Sequence, residues 1–358
     1  MTVVARAPAT TFDLPAELSA KEPAEERGQD RSDVRLLVAT ATGVEHTRFP
    51  SIVHHLRSGD LVVVNTSATT AAALDGVRSD GRPVAVHVSS PVADDTYVVE
   101  LRCADGSCRV LDARAGEVVR LVDGALTLRS AHPNGLVRVG SRLWRVSFDV
   151  PGGVGEHLSR HGRPVGYGYV ARKWPLTAYQ TVFARHDHDG ASTGMSSAEM
   201  PSAGRPFSDR LVTDLITAGV QVAPLTLHTG LSSLEAGEEP MPERYDVSAS
   251  TARLVNQTRA AGGRVVAVGT TVTRAVETVA DLNGWVRAGS GWTDLVLGPD
   301  RPARVVTGLV TGWHDPQASH LLLLEAVAGA DLVQRAYAAA LADGYLWHEF
   351  GDSALLLP

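Results

Sequence analysis

The chain has 358 residues, 44% hydrophobic and 20% charged, enough to bury a substantial core and of a length that suggests two domains of ordinary size. Its formal net charge of −7 and pI near 6.0 supply no overall electrostatic pull toward nucleic acid. The opening "MTVVARAPATTFDLP" lacks the apolar block of a signal peptide, and no apolar run approaches the roughly 20 residues of a membrane span, so a cytoplasmic chain with no membrane partner is expected.

In chain order, "RLLVAT" (35–40) and "LVVVN" (61–65) are short apolar runs bounded by turn residues, as buried strands are. From Asp75 to about Val150 the texture changes to short β-rich pieces: "PVAVHV", "TYVVELR", "CRVLDA", "EVVRLV", "ALTLRS", "LVRVG" and "LWRVSF". Gly, Asp, Pro and Asn separate them, which predicts a small antiparallel barrel inserted at 75–155. Within it, Asp105-Gly106 of "CADGSC" is a hairpin-turn signal that places Cys103 and Cys108 across a turn. Two ligands do not make a structural zinc site, and free thiols in a reducing compartment are the expectation.

Between His157 and Arg185 the cations Arg160, Arg163, Arg172, Lys173 and Arg185 occur with no Asp or Glu, interleaved with Tyr167, Tyr169, Trp174 and Tyr179. Cations mixed with stackable rings suit a polynucleotide or nucleobase; a solvated basic loop is the plain alternative. A polar segment follows at 186–204, and its "ARHDHDGAST" has metal-ligand residue types in a pattern more often solvated, so no metal is expected.

Beyond it, "SDRLVTDLITAG" predicts a helix stopped by Gly219, "VQVAPLTLH" a strand, "SASTARLVNQTRAAGG" a helix, "RVVAVG" a strand and "TTVTRAVETVADLNG" a helix. "HLLLLEAVAG" and "DLVQRAYAAALADG" complete the helical pattern. Such alternation predicts a mainly parallel sheet covered by helices, formed by residues 1–74 and 156–358 around the inserted barrel.

The clearest candidate site is the strand-to-helix turn at Gly269, Thr270 and Thr271, whose backbone N–H groups and hydroxyls can receive an anionic group. Arg274 in the first helical turn opposes the helix dipole, which suits a carboxylate partner; a capping Thr and a surface Arg are the alternative. His228 ends an apolar strand, where crevices of open α/β sheets lie. In "TGWHDPQASH", Pro316 and a capping Ser319 place Trp313, His314 and Asp315 at a helix N-terminus, which favours a neutral, proton-accepting His314 and leaves Trp313 to face a cation.

The succession "FDLPAEL", "SGDLVVVN", "YQTVFA", "SAGRPF", "LTLHTG", "VAVGTTVTRAVE", "TGWHDP" and "FGDSALLL" resembles the S-adenosylmethionine:tRNA ribosyltransferase-isomerase family of queuosine biosynthesis, over nearly the whole chain. The resemblance implies an α/β domain with an inserted β-barrel, and S-adenosylmethionine as a substrate rather than a cofactor. It implies a reaction in which a proton leaves the carbon beside the sulfonium, adenine departs, and the ribosyl unit passes to the aminomethyl group of a deazaguanine base in tRNA; methionine is released as an epoxycyclopentane forms. Resemblance and residue type together give acid/base roles to His228 and His314, and Asp315, beside His314, is a third catalytic candidate by residue type. Substrate binding falls to Gly269, Thr270, Thr271 and Arg274, with Ser202, Glu243 and Trp313 as further candidates, and the basic aromatic window supplies Arg163, Tyr167, Tyr169, Arg172 and Lys173 as candidates for acceptor contact. The family's N-[DN]-T-R-V-I-P-A-R-L is "NTSATTAAAL" here, with Ala68 and Ala73 in place of arginines. Its A-P-T-A-G-L-H-F is "MPSAGRPF", with Ser202 for Thr and Pro206 for His. In "TGWHDP", Gly312 replaces Asn and Asp315 replaces Leu, and of H-x-M-H-x-E only Glu243 remains. These departures point to a retained S-adenosylmethionine site beside an altered acceptor side, and leave a small-molecule acceptor or a non-catalytic binding role as the competing readings.

Overall fold

The computed structural model describes residues 7–93, 96–132, 141–170, 172–185, 196–231, 240–316 and 318–358. The sheet begins with β1 (Arg35–Thr40), β2 (Gly43–Arg48) and β3 (Leu61–Asn65). The chain then enters the barrel strands β4 (Ala73–Val77), β5 (Pro83–Ala93), β6 (Thr96–Cys103), β7 (Val118–Leu121), β8 (Gly124–His132) and β9 (Leu143–Asp149), and α1 (Gly153–His161) follows. It returns through α2 (Asp209–Thr217) to β10 (Gln221–His228), β11 (Glu243–Val247), α3 (Ala249–Ala260), β12 (Val265–Val268) and α4 (Thr270–Thr278). The remainder is β13 (Gly289–Thr293), β14 (Gly308–Gly312), α5 (Ser319–Ala328), α6 (Ala330–Ala342) and β15 (Ser353–Leu357).

The nine-stranded sheet runs β13-β11-β10-β3-β12-β14-β15-β1-β2. It is parallel through β10, β3, β12 and β14, and again between β15 and β1; the other pairs are antiparallel. Strand side chains alternate between faces: Leu61 and Val63 pack under α3, α4, α5 and α6, whereas Val62 and Val64 meet Phe207, Leu211 and Leu215 at α2. Burial on both sides explains why "LVVVN" reads as an unbroken apolar run.

The barrel closes in the order β4-β5-β6-β9-β8-β7 and occupies the connection between the parallel neighbours β3 and β10. At its closure a Cβ on Gly76 would sit 2.7 Å from Val119 Cγ1, so only glycine allows β4 and β7 to meet there. Two sequence expectations fail, the strand at 108–113 and the free thiols. "CRVLDA" is not a strand: it meets the end of β6 through the isolated Arg102–Arg109 bridge and its two flanking backbone hydrogen bonds, and the sixth barrel strand is instead "ALDGV", β4, whose Asp and Gly hid its strand character. "LVRVG" falls at 136–140, outside the described residues. Cys103 and Cys108 are joined as a disulfide across their turn, Cα atoms 5.2 Å apart, rather than standing as free thiols, because the Asp105-Gly106 hairpin brings them into bonding range. Among the described residues no helix is long and apolar enough to cross a membrane.

Candidate active site

The carboxyl ends of β3, β10, β12 and β14 converge where the chain leaves for the barrel, the position at which open α/β sheets bind ligands. Asn65, the last residue of β3, organises this edge. Its amide donates to Leu227 O at 2.8 Å and to Thr271 Oγ1 at 3.4 Å, while its Oδ1 accepts from the N–H groups of Ser67 and Leu227. One side chain thus ties β3 to the end of β10 and to the start of α4. Above the edge lies a cavity of about 500 Å³, within the size range of small-molecule sites.

One wall is the β12–α4 turn. Gly269, at φ 93°, occupies a backbone region that L side chains avoid, and it delivers the chain into α4 so that Gly269, Thr270 and Thr271 line the cavity at the helix N-terminus, where first-turn N–H groups lack intrahelical acceptors. Thr270, Thr271 and Arg274 line the cavity with Ser202 and Glu243. Arg274 does find a carboxylate, but it is the protein's own. Its Nη1 pairs with Glu243 Oε2, Nε donates to Leu295 O at 3.1 Å, and Nη2 donates to Met241 O and Thr293 O, each at 3.2 Å. Glu243 Oε1 also accepts from Gly230 N–H at 3.0 Å. Burial raises the Glu243 pKa, and Arg274 opposes that rise. The guanidinium therefore clamps α4 to β11 and β13 and is not an open carboxylate receptor.

A second wall follows β14. His314 Nε2 lies 3.1 Å from Thr311 Oγ1, and its ring stacks on His320 with centroids 4.5 Å apart. Burial, aided by His320 and His348, holds the His314 pKa well below the usual histidine range, and burial with Arg274 takes His320 down to about 4. His314 is neutral, as the sequence suggested, but mainly through desolvation. Ser319 is not the helix cap; Ala318 precedes α5 and no side chain caps it. Trp313 is 2% exposed among Tyr337, Tyr345 and Trp347, at centroid distances of 4.9, 5.8 and 5.3 Å, so its ring is occupied by aromatic neighbours and not by a cation. Asp315 lines the cavity, 3.8 Å from His348 Nε2.

The third wall belongs to the barrel side. Tyr167 and Tyr169 stack at 6.0 Å, and each hydroxyl donates to a carboxylate: Tyr167 to Glu199, Tyr169 to Glu349 Oε2 at 2.7 Å. Arg102 lies over Tyr167, 4.9 Å from its centroid, and donates to Glu100 Oε1 at 2.8 Å and to Gly106 O at 3.0 Å. His348 stacks on Tyr169 at 4.0 Å and holds a left-handed backbone, φ 73°, rare outside glycine. Burial pushes the Glu349 carboxyl up to about 7.

Not every sequence candidate reaches the cavity. His228 is outside its lining; Nδ1 sits 2.8 Å from Ser67 Oγ, which accepts from Ser197 Oγ–H, and Ser197 Oγ accepts in turn from Thr229 N–H. This chain fastens the end of β10 to the segment at 197. Of the basic window, Arg163 and Lys173 pair with Asp75, Arg172 with Glu26 and Arg160 with Glu156, carboxylates supplied mostly from elsewhere in the sequence. Tyr167 and Tyr169 turn inward as cavity wall rather than outward as a stacking surface. The His-Asp cluster of "ARHDHDGAST" falls at 186–189, outside the described residues; among the described residues no group is placed to hold a metal ion. Sequence reasoning missed His320, six residues after His314, and also His348, Glu349 and Glu199, which carry no local signal and meet only through the fold.

The profile of a family described as queuosine biosynthesis protein matches residues 9–356. An S-adenosylmethionine:tRNA ribosyltransferase-isomerase from Symbiobacterium thermophilum is 35% identical over 355 residues, covering 97% of this chain and 98% of its own. The protein of that name from Caldanaerobacter subterraneus is 31% identical over 356 residues, with the same coverage. The crystal structure of an S-adenosylmethionine tRNA ribosyltransferase from Thermotoga maritima superposes with a TM-score of 0.51 at 25% identity, covering 97% of this chain and 99% of that one. By sequence along its whole length and by its sheet-plus-barrel architecture, the chain belongs to the queuosine biosynthesis protein family.

Proposed function

We propose that this protein transfers the ribosyl unit of S-adenosylmethionine to a modified base in tRNA and isomerises it, as the names of its relatives state for them. The observation that carries this reading is the meeting of family motifs, remote in sequence, around one cavity: Ser202 from "SAGRPF", Gly269, Thr270 and Thr271 from "VGTTVTR", and His314 from "TGWHDP". The turn at Gly269 receives the anionic end of the methionine portion on helix N–H groups, and the Arg274–Glu243 pair keeps that turn rigid. His314 is neutral and accepts the proton from the carbon beside the sulfonium. Because its buried imidazolium is disfavoured, it releases that proton readily to the departing adenine. S-adenosylmethionine enters as substrate, with tRNA as acceptor; a cytoplasmic setting accords with both.

Mass spectrometry of purified protein incubated with S-adenosylmethionine tests this, with and without tRNA carrying the aminomethyl-deazaguanine base. Adenine and methionine released only with that tRNA are expected. Release without RNA would point instead to a small-molecule acceptor, and no release in either case would overturn the proposal. Since the net charge is −7, tRNA binding must rest on local phosphate contacts, and its affinity should fall as salt is raised.

A further inference from the structure

Glu349, Tyr169 and His348 form a corner of the cavity that the reaction sketched above does not use. Tyr169 is gripped twice: its hydroxyl by the Glu349 carboxylate at 2.7 Å, its face by the His348 ring at 4.0 Å and 13°. The corner therefore offers carboxylate and phenol oxygens beside a stacked pair of rings, in the same cavity as the α4 turn assigned to S-adenosylmethionine. That combination suits a cation. A sulfonium, which has no N–H, could meet these oxygens through charge alone, whereas an ammonium also donates hydrogen bonds to them.

We propose that this corner seats the primary ammonium group of the acceptor base and that Glu349 takes its proton. The inference rests on the function proposed above and adds to it the residue that makes the acceptor nucleophilic. In the step, one N–H bond breaks and one O–H bond forms on Glu349; an ammonium and a carboxylate become an amine and a carboxylic acid. Two charges are replaced by two neutral groups, a direction that a buried site favours. The amine then holds the lone pair needed for attack. Burial brings the empty carboxyl up to about 7, with Glu199 raising it further while Tyr169 and Arg205 lower it; the Tyr179 hydroxyl shares the same field. An arriving ammonium would favour ionisation of the carboxyl and so prepare the base.

The test compares wild type with Glu349→Gln and Tyr169→Phe in two assays. Binding of S-adenosylmethionine, and of tRNA with either the aminomethyl base or plain guanine at that position, is measured by calorimetry; transfer kinetics are followed from about pH 5.5 to 9, the span over which the acid limb should appear. For Glu349→Gln the expected result is unchanged S-adenosylmethionine affinity, loss of the wild-type preference for the aminomethyl tRNA, a fall in kcat/KM for tRNA of about 10²-fold or more, and disappearance of the acid limb. Tyr169→Phe keeps the ring stack and should cost about tenfold. The proposal is overturned by an intact tRNA preference and kcat/KM in both variants, or by S-adenosylmethionine affinity falling in place of tRNA preference. If Glu349→Gln fails to fold, Tyr169→Phe alone decides by the same criteria. A wild type that prefers the aminomethyl tRNA yet releases no adenine would sink the proposed reaction while leaving the ammonium seat standing.

Discussion

The two sides of the cavity are made in different ways. The α4 side is local architecture: a strand, a glycine with positive φ, a helix N-terminus, and an arginine whose charge is cancelled by Glu243. The barrel side is a set of long-range pairs, in which the Tyr167 hydroxyl donates to Glu199 and the Tyr169 hydroxyl to Glu349. Charge on the first side is settled within the protein; on the second, the Glu349 carboxyl stays near the point of ionisation. The contrast suggests a division of labour, with one wall fixed to hold a ligand and the other poised to exchange a proton.

The strongest way to break the comparison is Arg274→Ala, which leaves Glu243 buried and uncompensated. Stability measured by denaturant unfolding should fall by about 3–5 kcal/mol; a loss under about 1 kcal/mol would mean that the pair does not fix that wall. Next comes His314→Ala, for which turnover should drop about 10²-fold, equivalent to about 2.7 kcal/mol of barrier, with S-adenosylmethionine binding nearly unchanged. An unaltered rate would remove His314 from the chemistry. The barrel side can be sharpened by pH. The folded pKa of Glu349 lies above its ordinary value of 4.5, at about 7, so its contribution to stability is complete below pH 4.5 and lost as pH rises through 7. Wild type should therefore lose about 3 kcal/mol relative to Glu349→Gln between acid and mildly alkaline solution; a difference that stays flat with pH would show that the carboxyl is not perturbed. The smallest effect belongs to His228→Ala, expected to cost about 1 kcal/mol of stability through the Ser67 hydrogen bond and to leave turnover within about tenfold. A hundredfold loss would return His228 to the catalytic list.

The same division explains what the sequence disclosed. The α4 turn was legible because Gly269, the following threonines and the apolar strand before them are contiguous, and helix and strand periodicities announce themselves within a dozen residues. The inserted barrel was legible from its run of short strands, although β4 was not, since Asp75 and Gly76 depress its strand character. Arg274 was seen to want a carboxylate, but the partner that Glu243 provides comes from β11, 31 residues earlier, and no spacing rule pairs them. The partners of Arg163 and Arg172 were equally invisible, because Asp75 and Glu26 arrive from distant segments and neutralise what reads locally as a basic stripe. His228 stood out by its place at a strand end, yet one register position decides whether such a side chain enters a cavity or, as here, meets a serine.

The double grip on Tyr169 has a consequence for how this corner can change over evolutionary time. His348 holds the ring and Glu349 the hydroxyl, consecutive residues aimed at one partner 179 and 180 positions away, and the left-handed backbone at His348 costs about 1 kcal/mol that only the finished arrangement justifies. Losing the tyrosine strands a buried carboxyl; losing the glutamate strands a buried phenol; losing both leaves a strained histidine with nothing to stack on. The three positions should accordingly behave as a single heritable character, kept together or replaced together among relatives, and a chain carrying one without the other two would mark a lineage in which this corner has been given different work.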